Sequence, residues 1–406
     1  TGPNFAFVGS DNVLGSASGA NTARVVVGSP LGNIFGMTAG SGGVIFRNSN
    51  DYSGGTTINR GSTVTLDTGS VSTPLGSGVV EVFGTLALGS PGGLNSPSFY
   101  NSVLNANSNV IVMRPGSTVT IQDQLGAVAD GQGRWKDTTG QDLNGGNLRF
   151  LGVANAQSVE TIGDITVSKA SNLHVVRAAG AGSATFNIGD LNRAANGTLT
   201  ITHTAATLGQ PIANPVTSFE RLTTTSVLAT GGLTNNGSGV VNGGMVAPWI
   251  IDATENSFMG HNVAGVGHGF QPLKSTGTPA AGQSEYTFRA TAAGNFGTGR
   301  LATDIVDIVT GAQTLDANPT IYALRTAQNI IPTAVNNTLT ISSGGLIMTG
   351  GTISTVPAAT ATTQAVTLPM TLNFGAAGAA EALIYTSAAS VINAQIAATG
   401  LTKFGA

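Results

Sequence analysis

The chain has 406 residues, of which 9% are charged, and its formal net charge is −3. A mean hydropathy of +0.20 with so little charge excludes intrinsic disorder, which combines low hydrophobicity with high net charge. The 16 Lys and Arg residues do not make the basic stripe of a nucleic-acid-binding protein, the absence of cysteine excludes a disulfide framework, and no apolar run has the length of a membrane span.

Five short runs share one pattern, in which a turn residue precedes a small residue, then Thr, an aliphatic residue, Thr or Ala, and a second aliphatic residue. They are residues 62–66, 84–88, 117–121, 197–201 and 337–341. Because side chains alternate between the faces of a strand, the aliphatic residues face inward and the Thr residues face outward. Two or three inward residues per run are too few for a broad sandwich strand and suit one wall of a narrow coil.

Similar runs recur every 8 to 12 residues or so, a spacing that also fits antiparallel sandwiches and barrels. Two features favour a parallel solenoid instead. The pattern continues along the whole chain without a boundary, and Gly and Asn recur as single corner residues, where a left-handed backbone costs them least. We therefore predict an all-β parallel β-helix, one continuous module over residues 1–406 with irregular loop insertions and stacked columns of Thr, Ser and Asn that exchange hydrogen bonds.

The first irregular insertion is predicted near residues 126–146. It contains Asp130, Asp137 and Asp142 beside several glycines, which makes these residues weak candidates for calcium ligands. Their spacing fits neither an EF-hand nor a calcium-binding β-roll repeat, so the preferred interpretation is a solvated loop in which the Asp side chains cap turns. Trp135 in the same loop is a candidate glycan contact, with a local anchor as the alternative.

The second insertion, near residues 243–272, contains Trp249, Asp252, Glu255, His261 and His268. Trp249 is the other candidate glycan contact, again with an anchoring role as the alternative. This is the only place where two His and two carboxylate residues approach in sequence, and a metal or acid–base site is conceivable there. Their spacing matches no ligand motif, so we expect surface or packing roles.

Asp304 and Asp307 suggest the carboxylate pair of a polysaccharide hydrolase. An offset of three residues puts them on opposite faces of a strand, which argues against a pair. We therefore expect neither an enzyme nor a cofactor. The alternative is a polysaccharide-binding or polysaccharide-degrading β-helix.

The chain closes with an Ala-rich segment, residues 381–399, that could form one short helix, and with the sequence GLTKFGA at residues 400–406. We interpret its first and last residues as equivalent points of one repeat without polar caps. This interpretation predicts an end-to-end stacking interface at Phe5, Phe7, Leu401 and Phe404, so that the chain is one unit of a longer tandem or stacked array.

Residues 52–66, YSGGTTINRGSTVTL, resemble the bacterial autotransporter-associated β-strand repeat, with Val64 where the repeat has Leu. The closing GLTKFGA resembles the segment that opens such a repeat. The resemblance implies long secreted or surface-displayed bacterial proteins with a right-handed parallel β-helix. It also implies structural or adhesive roles and no catalytic residues.

Together these observations predict a structural extracellular or cell-surface β-solenoid that stacks end to end into a fibre or matrix. The expected partners are other copies of the chain, with glycans or cell-surface components as further candidates. Neither nucleic acid nor a membrane span is expected.

Overall fold

A computed structural model describes residues 5–8, 24–28, 43–46, 50, 52–66, 75–88, 110–122, 138–152, 154, 157–178, 182–204, 208–209, 219–228, 244–262, 269–275, 285–334, 336–354 and 370–406. Within these ranges the regular structure consists of β-strands and one 3-10 turn, Ala376–Gly378, with no α-helix. This part of the chain accordingly holds no helix with the length and apolarity of a membrane span. The chain divides into two compact units, Thr1–Thr234 and Asn235–Ala406. The continuous module over residues 1–406 stays a prediction.

Unit 1 is built from two sheets whose strands alternate along most of the chain. Its strands are β1 (Phe5–Val8), β2 (Arg24–Val27), β3 (Gly43–Phe46), β4 (Thr56–Ile58), β5 (Thr63–Leu66), β6 (Val80–Val82), β7 (Thr85–Leu88), β8 (Ile111–Met113), β9 (Thr118–Gln122), β10 (Gln141–Leu143), β11 (Asn147–Leu151), β12 (Gln157–Thr161), β13 (Ile165–Val167), β14 (Ala170–Val176), β15 (Ser183–Arg193), β16 (Thr198–His203) and β17 (Glu220–Leu228). Sheet A has the order β1-β2-β4-β6-β8-β10-β13-β15-β12, with β17 on β15, and sheet B includes β16-β14-β11-β9-β7-β5-β3. These pairs are parallel, except that β1 is antiparallel to β2.

The repeated Thr–aliphatic runs explain the register of sheet B. Val64 pairs with Leu86, Leu86 with Val119, and Val119 with Leu148. Each of these side chains is at most 1% exposed, whereas the Thr residues between them are half-buried on the outer face. The run at 197–201 joins the same sheet two residues out of step, with Thr200 opposite Asn172. A shift of two residues keeps the faces, because side chains alternate with a period of two.

Left-handed residues turn the chain before four of the five runs. Gly61, Gly116 and Asn336 have φ angles of 76°, 82° and 62°. Glycine has no Cβ to clash there, and Asn tolerates this region better than most residues. Before the run at 197–201 the left-handed residue is Ala195, with φ 48°, rather than the expected Asn196.

The predicted polar columns exchange hydrogen bonds between rungs. Asn172 Nδ2 donates to Asn147 Oδ1 at 2.6 Å, and Thr200 Oγ1 donates to Asn172 Oδ1. In sheet A, Thr223 Oγ1 donates to Asn187 Oδ1 at 2.6 Å. Neutral side chains can form such ladders, whereas like charges stacked at the strand spacing of about 4.8 Å would repel.

From β21 onward, the strands of unit 2 form three parallel sheets. Its strands are β18 (Ile250–Asp252), β19 (Ser257–Asn262), β20 (Gly269–Pro272), β21 (Phe288–Ala290), β22 (Gly294–Phe296), β23 (Ile305–Ile308), β24 (Gln313–Leu315), β25 (Thr320–Ile321), β26 (Ala323–Thr326), β27 (Ile330–Pro332), β28 (Asn337–Ile341), β29 (Gly345–Met348), β30 (Thr352–Ile353), β31 (Met370–Phe374), β32 (Glu381–Thr386), β33 (Val391–Ile392), β34 (Gln395–Ala397) and β35 (Gly400–Gly405). Sheet C has the order β21-β23-β26-β29-β32-β35, sheet D β22-β24-β27-β30-β33, and sheet E β25-β28-β31-β34. From β23 onward the chain visits C, D and E in turn. Ile305 pairs with Ala323, Leu324 with Leu346 and Ala382 with Leu401, so three of the four passes take about 20 residues, and the pass from Gly345 to its partner Leu383 is longer.

The second predicted insertion, near residues 243–272, is partly regular. Strands β18 and β19 are antiparallel, as are β19 and β20. We call residues 244–262 and 269–275 the covering segment, because they lie on the outer face of sheet C. A Cβ on Gly345 would stand 2.7 Å from Pro248 Cβ and 3.1 Å from Phe258 Cε1, so this close approach requires glycine. Strands β23 and β29 are consequently buried on both faces.

The Ala-rich segment 381–399 is not helical. It forms β32, β33 and β34, one strand in each of the three sheets. Ala382 and Ile384 face the apolar core of unit 2, so burial between parallel strands overrides the helix propensity of alanine.

Candidate functional site

Unit 2 ends in three edge strands, β33, β34 and β35, which we call the last rung. Each pairs on one side, with β30, β31 and β32 respectively. In the part of the chain that the structure describes, no strand pairs with their other side. Such edges present backbone N–H and C=O groups that can extend a sheet.

The apolar core of unit 2 reaches the last rung and stays uncovered there. Ile396 continues the inner column of Leu372, and Leu401 continues that of Ala382. Leu372 and Ala382 are fully buried, but Ile396 is 37% exposed and Leu401 is 60% exposed. Both side chains face inward by register.

Lys403 shares this inner face, because it pairs with the core residue Ile384. Its side chain is exposed, and Nζ donates to the carbonyl oxygen of Ala406. Lys403 is the only charged residue from residue 387 to the last residue of the sequence. Among the described residues, the inner face of β35 therefore carries one ammonium group beside the apolar side chain of Leu401.

Phe404 lies on the outer face of β35 and is 6% exposed. Its ring meets the ring of Tyr385 edge-on, with 5.4 Å between the centroids. Tyr385 donates a hydrogen bond of 3.1 Å to Asn256 Oδ1 in the covering segment, and burial, together with the charge of Asp252, raises the pKa of its phenol. Phe404 therefore packs against a residue of its own chain, and the part of Phe404 and Leu401 in stacking stays a prediction.

Phe5 and Phe7 belong to β1, opposite Val27 and Val25 of β2. Their side chains lie outside the described part of the structure. Because β1 is antiparallel to β2, this edge of sheet A is not a parallel continuation of the rungs. The contribution of the two phenylalanines to stacking stays a prediction.

A second candidate site is the polar network between the covering segment and sheet C. Ser257 Oγ lies 2.9 Å from Tyr286 Oη and donates to the carbonyl oxygen of Leu273 at 2.8 Å. Burial raises the pKa of Tyr286 to about 12. The phenol is therefore neutral at pH 7 and serves as a hydrogen-bonding group, not as a base.

Charged groups complete this network. Asp307 accepts a hydrogen bond from Ser275 Oγ, and Arg325 Nη1 lies 3.7 Å from Asp307 Oδ2 and donates to Ser275 Oγ at 3.2 Å. Lys274 Nζ lies 2.5 Å from both carboxylate oxygens of Glu255. Since these charges are paired and partly or fully withdrawn from water, the arrangement ties the covering segment to sheet C.

The weak calcium candidates are not brought together by the described structure. Asp142 accepts a hydrogen bond of 2.8 Å from Ser168 Oγ on the outer face of sheet A. Asp130 and Asp137 lie outside the described residues, as does Trp135. No group of three metal-ligating side chains occurs in the described ranges. Trp249 is 1% exposed, so its ring is not presented to a glycan, and its burial favours the anchoring role.

The acid–base candidates of the second insertion have separate partners. Asp252 Oδ1 accepts the backbone N–H groups of Thr254 and Glu255, which closes the turn between β18 and β19. His261 packs edge-on against Phe270 with ring centroids 4.8 Å apart. His268 lies outside the described residues.

Asp304 and Asp307 also serve different partners. Asp304 Oδ2 accepts the N–H of Leu301 at 2.9 Å and lies 3.8 Å from Arg300 Nη1, while Asp307 belongs to the network beneath the covering segment.

Sequence reasoning missed Ile392, Ile396 and Lys403. Ile392 packs partly against the core, and Ile396 continues the inner column of Leu372. Both residues lie in the Ala-rich segment 381–399, for which we considered one short helix. The available signal was the spacing of about 20 residues between the pattern around Leu383 and that around Thr402. That spacing makes residues 391–405 a complete rung.

Comparisons with protein-family models, with curated proteins and with solved structures found no match to this chain. The proposals on function therefore use the geometry of the rungs of unit 2 and of the covering segment.

Proposed function

We propose that the chain is a structural β-solenoid, a right-handed parallel β-helix, that receives a further rung at its open end and stacks end to end into a fibre or matrix. The ordered passage through sheets C, D and E supports a coil, and the general preference of parallel crossovers supports the right hand. The single observation that carries the proposal is the regular pairing of rungs in unit 2, where strands β26 to β31 each pair with one rung on either side over an apolar core.

Composition supports an extracellular or cell-surface setting for this fibre. The chain has no cysteine and 9% charged residues, and its outer faces include ladders of neutral Asn and Thr side chains. The resemblance to bacterial surface repeats points the same way. An adhesive role fits the same location. The alternative is a polysaccharide-binding or polysaccharide-degrading β-helix; the described residues add no row of exposed aromatic rings in its favour.

Sedimentation velocity of the full chain over a range of concentrations, with electron microscopy of the larger species, tests the proposal. We expect rods that lengthen with concentration. The variant Leu401→Lys places a second charge on the end face and should raise the concentration needed for assembly at least tenfold.

Leu301→Lys is the matched control, because Leu301 is 62% exposed and lies away from the last rung. It should assemble like the wild type. A monodisperse monomer at every concentration, or equal effects of the two substitutions, would contradict the proposal.

A further inference from the structure

One charged side chain stands on the outer face of sheet B in unit 1. The seven parallel strands of this sheet in unit 1 contain no Asp or Glu, and Arg149 of β11 is their only Lys or Arg. Arg149 is exposed, and within the described ranges its guanidinium group makes neither a hydrogen bond nor an ion pair. An anion that approaches this face therefore meets a cation and no carboxylate of these strands.

The outward charges of sheet A in the same unit are balanced. Nη2 of Arg24 and Nη2 of Arg114 each lie 2.6 Å from a carboxylate oxygen of Glu81. The hydrogen bond from Arg114 is the main reason why the pKa of Glu81 lies below its usual value. Among the described residues Arg149 has no such partner, so an anionic group of a ligand can bind it as Glu81 binds Arg114.

His174 stands beside Arg149 in the next strand, because the two residues are register partners in β14 and β11. Its imidazole is half-buried, and Nε2 is withdrawn from solvent without a hydrogen bond to any described residue. Burial, followed by the positive charge of Arg149, holds the pKa of His174 below its usual value. The ring is therefore neutral at pH 7, and an anion bound to Arg149 favours its protonated form.

Neutral hydrogen-bonding groups flank this pair. Asn147, Asn172 and Thr200 form the neighbouring outward column and are joined as a ladder. An amide nitrogen carries two N–H groups, so Asn172 keeps a second donor after its bond to Asn147. The hydroxyl groups of a sugar chain can accept from such donors. One cation among neutral amides and hydroxyls suits an acidic glycan better than a nucleic acid, which binds through several cations.

We propose that Arg149 and His174 form a binding site for the anionic group of an acidic polysaccharide, whose hydroxyl groups bond to Asn172 and Thr200. Recognition is by charge and hydrogen bonds rather than by stacked aromatic rings. The recognised group is a carboxylate or a sulfate, since both present paired oxygens to a guanidinium group. The inference goes beyond the structural role proposed above and does not depend on assembly.

Binding of the full chain to three soluble polysaccharides tests this site. Polygalacturonate carries carboxylates, dextran sulfate carries sulfates, and dextran is uncharged. We expect binding to at least one acidic polymer and none to dextran. Arg149→Ala should weaken binding roughly tenfold or more, the effect of losing one hydrogen bond between charged groups.

Arg60→Ala is the matched control. Arg60 is exposed at the turn before β5, three strands from β11 in the same sheet, and its loss should change the affinity less than about twofold. Both arginines are exposed, so neither substitution should move the urea midpoint of unfolding. This measurement separates lost binding from lost folding.

A pH series isolates the part of His174. The charged and titratable groups that act on its imidazole are Arg149 on β11, His203 on β16 and Glu220 on β17. A bound anion raises the pKa of His174, so the complex takes up a proton and the affinity should rise as the pH falls from about 8 to about 5. His174→Gln keeps a hydrogen-bonding side chain but does not titrate, and it should flatten this rise.

The outcomes decide the proposal. A loss of binding in Arg149→Ala alone supports it, and binding of only one acidic polymer identifies the recognised group. Equal losses in Arg149→Ala and Arg60→Ala, equal binding of dextran, or no binding to either acidic polymer would overturn it. Duplex DNA that binds as tightly as the acidic polysaccharides would also overturn it. A rise in affinity that persists in His174→Gln would remove His174 from the site. None of these results bears on stacking, which sedimentation tests separately.

Discussion

Strands β29 and β35 belong to the same sheet but are buried in opposite ways. Every residue of β29 is buried, on the core side by neighbouring rungs and on the outer side by the covering segment. In β35 the outer residue Phe404 is buried, while the inner residues Leu401 and Lys403 are exposed. Whether a side chain is buried in this fold therefore depends on the neighbouring rung as much as on the residue type.

The largest difference in unfolding free energy is expected between two residues of one inner column, one in an interior rung and one in the last rung. Leu372→Ala removes a fully buried side chain and should lower the free energy of unfolding by about 2–5 kcal/mol. Ile396→Ala, one rung further along, should cost less than about 1 kcal/mol in the unstacked chain, because its side chain is already partly in water. Urea titration at low protein concentration measures both values. Equal losses would show that Ile396 is covered.

The next largest difference in stability is expected between the outer face of sheet C, which the covering segment covers, and the open outer face of sheet A. Asp307→Ala leaves Arg325 partly buried without its carboxylate beneath the covering segment, and we expect a loss of about 2–4 kcal/mol. Asp142→Ala on the open face of sheet A removes one half-buried hydrogen bond and should cost about 1 kcal/mol or less. The same urea titrations decide the comparison. An Asp307→Ala loss as small as that of Asp142→Ala would mean that the network does not fasten the segment.

A pH titration sharpens the contrast in the same network. Burial raises the pKa of Tyr286 to about 12 from an ordinary value of 10.0, so the folded chain holds this proton more tightly than the unfolded chain. Its stabilising contribution is complete below pH 10 and is lost as the pH rises through 12, amounting to about 1–3 kcal/mol. Tyr286→Phe should remove this part of the alkaline loss.

Tyr52 in unit 1 also has a pKa of about 12 because of burial, and it supplies the internal control. Its share of the alkaline loss should persist in Tyr286→Phe. An unchanged pH profile in that variant would contradict the burial of Tyr286.

The smallest expected effect concerns the polar ladders. Asn172→Ala removes the hydrogen bonds to Asn147 and Thr200 on an open face. Such bonds exchange with water, so the expected loss is below about 1 kcal/mol. A loss as large as that of Leu372→Ala would show that the polar ladders stabilise the folded chain as much as the apolar core does.

Much of the fold could be predicted from local patterns. The Thr–aliphatic runs at 62–66, 84–88 and 117–121 identify inward and outward residues because side-chain alternation is a local property. The corner residues Gly61 and Gly116 follow from the same reasoning. The division into compact units and the packing of the covering segment on Gly345 depend on contacts distant in sequence, and no local period encodes them.

The candidate site was less accessible to sequence reasoning. Leu401 and Phe404 were both placed at a stacking end, because hydrophobicity alone does not show which face of β35 a residue occupies. That assignment needs the register of Ile384 opposite Lys403 and of Tyr385 opposite Phe404.

The central claim is that another rung covers the last rung, and hydrogen exchange of the full chain at low and high protein concentration tests it most directly. We expect amides of β33, β34 and β35 to gain protection as larger species form, and Leu401→Lys to abolish the gain. Assembly that leaves the exchange of these three strands unchanged would contradict it.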